Sequence, residues 1–228
     1  MDKEKIYVFD AYGTLFDVNS AARKCAAEPG REKFAEFWPL ISANWREKQL
    51  SYSWLLNILG EYNDFWQITE SALDYALELV GLDRDAELKK RLLNLYRELD
   101  TYTEVKSVLS NLSTRNITCA ILSNGSKFML DAAVKNSGVK SYFKAVLSVD
   151  EIGVFKPNSK VYEMVLDYTN FKIDEVLFVS SNGWDIAGAS SFGFKTVWIN
   201  RLNLPYDRLP FQPDEIGIDL THVEALIN

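Results

Sequence analysis

After Tyr102 the chain settles into short apolar runs separated by helical stretches, and this rhythm constrains the fold more than any other feature. The runs 117–122, 145–148, 176–179 and 196–199 read as buried strands. Glu104 to Ser113, Phe128 to Ser137, Lys160 to Tyr168 and Trp184 to Phe192 carry helical spacing around them. Gly138 stops one of these helices, and Asn158-Ser159 supply cap signals for another. Strands alternating with helices imply a parallel sheet covered on both faces. The apolar run Ile6-Tyr7-Val8-Phe9 reads as a further, central strand. The expected class is α/β, a Rossmann-like parallel core with helices on both faces.

The stretch between the first strand and Tyr102 behaves differently. Arg31 to Leu59 carries Phe34, Phe37, Trp38, Ile41 and Trp45 at helical spacing, with no glycine before Gly60. Pro39 leaves open one long helix or two abutting ones. Asn63-Asp64 precede a second run, Phe65 to Val80, stopped by Gly81, and a third extends from Asp85 to Glu98. No strand-like alternation interrupts the block. The expectation is an all-helical cap subdomain at 18–99, inserted into a core formed by 1–17 and 100–228. Leu202 to Pro213, with three prolines, reads as loop.

A chain of 228 residues accommodates this plan and a real core. Its formal charge of −7, from 25 basic and 32 acidic residues, argues against nucleic acid or an anionic membrane as partner. No apolar stretch approaches membrane-spanning length, and Met1 to Lys5 lead into a strand without a signal-like segment. These features imply a soluble, cytoplasmic protein. Cys25 and Cys119 lie far apart and read as reduced packing residues. The single histidine, His222, makes a histidine-rich metal site or a Ser-His-Asp triad improbable. A general base here is a carboxylate, a lysine or a polarised water.

Parallel strands end on the same side, so their terminal clusters converge on one crevice. An aspartate after a strand is ordinarily a turn or cap residue. Asp10, however, is followed at fixed offsets by Gly13 and Thr14, and three further strand ends carry polar groups. A carboxylate there can act as a covalent nucleophile. Ser123-Asn124-Gly125 fits a helix cap, but the same hydroxyl, amide and backbone N–H groups bind anions. Lys156 precedes Pro157, which holds it extended and able to aim its ammonium rather than lie on a helix face. Ser180-Ser181-Asn182, with Asp185 further on, closes the set.

The string Asp10-Ala11-Tyr12-Gly13-Thr14-Leu15 resembles the nucleophile motif of the haloacid dehalogenase-like superfamily. Most of its members are magnesium-dependent phosphatases with a second aspartate two residues after the first, as general acid. That position is Tyr12, whose phenol titrates near pH 10, poorly matched to protonating a leaving oxygen. Paired acids that complete the metal site in those phosphatases are replaced by Ser180, Ser181 and Asn182. Magnesium is held by carboxylates and waters, so no metal and no other cofactor is expected. A leaving group that needs no proton, such as halide, fits better.

Longer strings carry the resemblance to the L-2-haloacid dehalogenase family. Trp45-Arg46-Glu47-Lys48-Gln49-Leu50-Ser51-Tyr52-Ser53-Trp54-Leu55 resembles a family helix, and I-L-S-N-G-S, L-D-A-A-V, L-S-V-D, V-F-K-P, F-V-S-S-N-G-W-D and W-I-N-R all occur, the likeness running from Tyr7 to about Arg201. Glu47 departs from the residues common there.

The resemblance implies that Asp10 attacks C2 of an L-2-haloalkanoate, a small anionic substrate, giving an ester and inverted configuration. Arg46 receives the halide. Ser123, Asn124 and the backbone N–H groups near Ala11 and Tyr12 hold the substrate carboxylate. Lys156 orients and neutralises Asp10, with Tyr162 and Ser180 completing the network. Thr14, Asn182 and Asp185 support ester hydrolysis, Asp185 or Lys156 helping to activate water. Tyr12, Leu50, Phe65 and Trp184 wall the alkyl group. A homodimer is also implied. Three other readings share the fold: a phosphatase, a catalytically silent binding protein, and a dehalogenase restricted to haloacetates.

Overall fold

The structure is a computed structural model that describes residues 5–227. Met1 to Glu4, most of the segment in which no signal sequence was expected, lie outside the described residues. Six strands, β1 (Ile6–Phe9), β2 (Thr118–Ser123), β3 (Phe143–Ser148), β4 (Val176–Ser180), β5 (Lys195–Ile199) and β6 (Glu215–Gly217), form one sheet in the order β3-β2-β1-β4-β5-β6. Every neighbouring pair is parallel. The α/β class read from the alternation is the class found.

β1 is buried along its whole length because it sits between β2 and β4, with Phe9 in register with Ile121 and Val179. The chain builds outward through β2 to β3, then crosses back to β4. The carboxyl ends of β1 and β4 therefore flank the point where strand order reverses, the place where open parallel sheets form a crevice. β6 was not expected. Its three residues, Glu215-Ile216-Gly217, are too few for a periodic signal, and its place is set by pairing with β5.

Helices α1 (Ser20–Ala26), α2 (Glu32–Leu59), α3 (Phe65–Glu78) and α4 (Ala86–Tyr96) fall between β1 and the rest of the sheet. Asp64 Oδ1 caps α3 by accepting from the Trp66 and Gln67 amides at 2.8 and 3.2 Å, and Asp85 caps α4 through the Leu88 amide. α2 runs unbroken through Pro39 and ends at Gly60, whose φ of 72° suits the left-handed C-cap. Burial of Phe34, Ile41 and Trp45 along one face outweighs the lost hydrogen bond at the proline. The four helices join the sheet through two antiparallel segments: Phe16 bridges Thr101, Asp17 N donates to Asp100 O, and Tyr102 N to Leu15 O.

The remaining helices, α5 (Val105–Thr114), α6 (Lys127–Asn136), α7 (Ser159–Thr169) and α8 (Gly183–Phe192), alternate with the strands as the sequence implies. Among the described residues no helix is long and apolar enough to cross a membrane. Cys25 and Cys119 are free and buried.

Candidate active site

Asp10 leaves the end of β1 and the chain folds back at once. Gly13, at φ 91°, supplies the turn, and the Ala11 carbonyl accepts from the amides of Thr14, Leu15 and Phe16. The buried Asp10 carboxylate at the start of this loop is held through both oxygens. Oδ1 lies 3.1 Å from Lys156 Nζ, while Oδ2 accepts from Thr14 Oγ1 and Asn182 Nδ2, each at 2.9 Å. Thr14 Oγ1 in turn accepts from the Ser181 amide at 2.8 Å, which ties the loop to the end of β4.

Lys156 is wholly buried, and its ammonium also meets Asp185 Oδ2 at 2.9 Å. A buried cation is tolerated only when paired, and here two carboxylates share it. Burial alone would lower the Lys156 pKa, but Asp10 and Asp185 outweigh burial and the net shift is upward. The lysine is a fixed ammonium. Its amide donates to Asn124 Oδ1 at 2.8 Å, and the Lys156–Pro157 peptide is cis. Asp185, in the first turn of α8, accepts from Tyr162 Oη at 2.8 Å through its other oxygen. Burial raises its pKa to about 6, with Lys156 opposing and Asp10 adding, so it remains mainly ionised at neutral pH.

Arg46 projects from α2 towards the same loop. Its Nη2 donates to the Tyr12 carbonyl at 3.2 Å and to Asn182 Oδ1 at 3.4 Å. Among the described residues no carboxylate lies within ion-pair distance of it. The two cations of the site thus differ in kind. Lys156 is doubly neutralised, whereas Arg46 keeps its charge available.

Asp10, Tyr12, Arg46, Leu50, Phe65, Ser123, Asn124 and Trp184 line one cleft. Its free volume is about 10 Å³, room for about one water. Tyr12 packs on Tyr96 with ring centroids 6.0 Å apart and planes 14° apart. Burial, reinforced by Tyr96 and Asp10 against the pull of Arg46, pushes the Tyr12 phenol well above its ordinary pKa. The phenol is therefore a still poorer proton donor than its ordinary value implies.

The structure brings the sequence candidates together, with two refinements. Ala11 is buried beneath the loop and leaves the cleft wall to Tyr12. Among the described residues Ser180 hydrogen-bonds to neither Asp10 nor Lys156; its hydroxyl accepts from the Asn182 amide at 3.1 Å and so acts on the cluster at one remove. Ser123 Oγ accepts from the Gly125 amide, which holds the 123–125 turn beside the cleft. Three residues outside the candidate set also brace it. Asn57 of α2 clasps the Phe155 backbone at both N and O, at 2.9 and 2.8 Å. Arg201 donates to the Thr14 carbonyl while pairing with Glu104 and stacking on Tyr102. Tyr96 joins Arg46 to a buried polar chain. Of these, Arg201 alone had a sequence signal, as the last residue of W-I-N-R.

Fold and site define a parallel α/β protein with a carboxylate–ammonium–carboxylate cluster at the switch point and a separate cation facing it. The chain belongs to the haloacid dehalogenase-like hydrolase family, whose profile matches residues 4–193. It is 46% identical over 207 residues to (S)-2-haloacid dehalogenase 1 of Pseudomonas sp. (strain CBS-3), covering 91% of this chain and 89% of that protein. It is 42% identical to an (S)-2-haloacid dehalogenase of Pseudomonas sp. (strain YL), covering 94% and 90%. Among solved structures, the L-2-haloacid dehalogenase from Xanthobacter autotrophicus with chloropropionic acid covalently bound superposes with a TM-score of 0.87 at 36% identity, over 99% of this chain and 98% of that one.

Proposed function

We propose that this chain hydrolyses L-2-haloalkanoic acids to D-2-hydroxy acids and halide through an ester on Asp10. One observation carries the reading: a carboxylate held by Lys156, Thr14 and Asn182 shares its cleft with Arg46, a cation that among the described residues donates to neutral acceptors. Attack by an Asp10 oxygen on C2 forms the ester C–O bond as the carbon–halogen pair departs with the halide toward Arg46. The configuration at C2 inverts. Ser123, Asn124 and the Ala11 and Tyr12 amides hold the substrate carboxylate, while Tyr12, Leu50, Phe65 and Trp184 surround its alkyl group.

In the second step water attacks the Asp10 ester carbonyl. The bond from the carbonyl carbon to the hydroxy-acid oxygen breaks, product leaves with a proton, and Asp10 retains the water's oxygen. Lys156, held as ammonium, has no lone pair to accept the proton. Asp185 is the base, and its raised pKa suits that task better than an ordinary aspartate would. Thr14 and Asn182 hold the carbonyl, and Tyr162 holds Asp185.

The donor set does not fit magnesium, which takes carboxylates and waters. Tyr12 stands in the second acid position, and the ammonium of Lys156 lies between Asp10 and Asp185. We therefore assign a cofactor-free reaction. The near-absence of free volume supports a cap, 18–99, that lifts to admit substrate and then dries the site. An apolar groove of about 280 Å³ between α2 and α3, with Leu55 and Leu59 exposed, supports a homodimer. The acidic charge supports a cytoplasmic protein with no nucleic-acid or membrane partner.

Halide release from L- and D-2-chloropropanoate, with and without chelator, tests the activity. The L-form alone should react, unaffected by chelator; magnesium-stimulated phosphate release from p-nitrophenyl phosphate in place of halide release would overturn the reading. A single turnover in heavy-oxygen water tests the ester. Unlabelled product and a labelled Asp10 peptide are expected, and label in the first product would point to direct attack by water.

A further inference from the structure

A buried chain of hydrogen bonds runs from α3 through α2 to α4 and ends at Arg46. Gln49, Thr69 and Tyr96 are all within the core. Such polar groups persist there only when their bonds are satisfied, and the order in which these are satisfied is dictated from one end. Thr69 Oγ1 donates to the Phe65 carbonyl one helical turn back, at 2.7 Å, a carbonyl that can only accept. The hydroxyl proton is thereby committed, and Thr69 can offer Gln49 only a lone pair. The Gln49 amide must then turn its NH2 to Thr69, at 2.9 Å, which leaves its oxygen facing Tyr96. Tyr96 donates to that oxygen at 3.2 Å, so its own lone pairs are all it can present to Arg46. Burial raises the Tyr96 phenol pKa, and the nearby Arg46 guanidinium opposes that rise, so the hydroxyl oxygen faces the cation's field.

The rings fix the same arrangement sterically. Tyr96 stacks on Tyr12 at 6.0 Å and packs against Trp45 at 4.7 Å. Trp45 Nε1 donates to the Thr69 carbonyl at 2.8 Å, locking α2 to α3 at the level of the chain. Phe65, whose carbonyl sets the direction, itself lines the cleft.

We propose that Thr69, Gln49 and Tyr96 form a one-way relay that holds the Arg46 guanidinium by a neutral acceptor, aiming its remaining N–H groups at the departing halide. The three are positioning residues, since none of them lines the cleft. The inference rests on Arg46 as halide acceptor. A neutral tether suits that role: a carboxylate would hold the guanidinium equally well but would cancel the charge that the halide needs. A hydroxyl free to donate would turn its proton towards the guanidinium and repel it.

A poorer leaving group depends more on the cation that receives it. Tyr96→Phe keeps the stacked ring and removes only the hydroxyl. In single-turnover halide release we expect it to slow L-2-chloropropanoate about tenfold, the scale of one hydrogen bond to a charged group, and L-2-bromopropanoate about threefold. Thr69→Val, which frees the Gln49 amide to reverse, should reproduce the bias, and Thr69→Ser should restore the wild-type ratio. A uniform loss on both halides would mean a structural role and would overturn the proposal. Rotation of the Arg46 guanidinium, followed by nitrogen NMR, reads the relay without turnover. It should be slow in the wild type and fast in Tyr96→Phe and Thr69→Val. Identical rotation in all three would reject the relay even if no halide were released, whereas a wild type that releases no halide while showing these rotations would instead reject the assigned reaction.

Discussion

Lys156→Met is the substitution whose outcome the geometry fixes most closely. The wild-type cluster holds one ammonium between two carboxylates, at 3.1 and 2.9 Å, with Lys156 and Asp185 inaccessible to solvent. Methionine fills similar volume but leaves two negative charges without a cation in a low-dielectric site. Breaking a buried pair in this way costs about 3–5 kcal/mol, and that is the loss expected at pH 8. The loss should shrink on acidification. Asp185 already has a folded pKa near 6 by burial, above the ordinary carboxylate range, and losing the ammonium removes the main opposing influence. An acid whose folded pKa exceeds its unfolded one binds its proton preferentially in the native state, so stability falls as pH rises between those two values. The variant should therefore gain on the wild type by up to about 1.4 kcal/mol for each pH unit over which it alone takes up one proton. Urea unfolding followed by tryptophan fluorescence at pH 8 and pH 5.5 measures both quantities. Adding Asp185→Asn to Lys156→Met should recover part of the loss at pH 8. An equal deficit at the two pH values, or no recovery in the double variant, would refute the charge argument.

Arg46→Ala should leave the fold intact by circular dichroism and remove most turnover, on the order of 3 kcal/mol of transition-state stabilisation by comparison with an oxyanion donor; near-normal halide release would make Arg46 a bystander. Asn57→Ala strips the Phe155 N–H and C=O of their partners at once. It should cost about 2 kcal/mol of stability in urea unfolding, and unchanged unfolding would mean that water replaces the clasp.

Much of this architecture is legible in the sequence because it is local. Asp10, Gly13 and Thr14 sit on one tight loop, and the loop alone fixes their mutual positions. Lys156 lies in the loop after β3 and Asp185 in the first turn of the helix after β4, so a parallel sheet brings both to the side where Asp10 ends β1. Arg46 is different, since nothing about a helical arginine aims it at a strand end, and only the resemblance singled it out. Asn57, Gln49, Thr69 and Tyr96 were not legible for a related reason. Their roles exist only across helix–helix and helix–loop contacts, and each reads individually as an ordinary cap, core or surface residue. Pro39 and β6 mark the same boundary: packing decided the first and strand pairing the second, and neither leaves a periodic trace.

The separate placement of the two cations determines how charge moves during turnover. In the proposed reaction the mobile negative charge rests on Asp10, beside Lys156, before attack, and on the halide, beside Arg46, after it. Total charge is unchanged, and each end of the path has a cation already in place. Formation of the ester converts the three-member cluster, with its net charge of −1, into a balanced Lys156–Asp185 pair. A buried surplus of charge is relieved by the very bond that forms. Hydrolysis then restores that surplus, and with it the reactivity of Asp10, once the ester bond breaks and Asp185 gives up the proton it took from water. The nucleophile is thus recharged by its own regeneration, with no side chain required to travel.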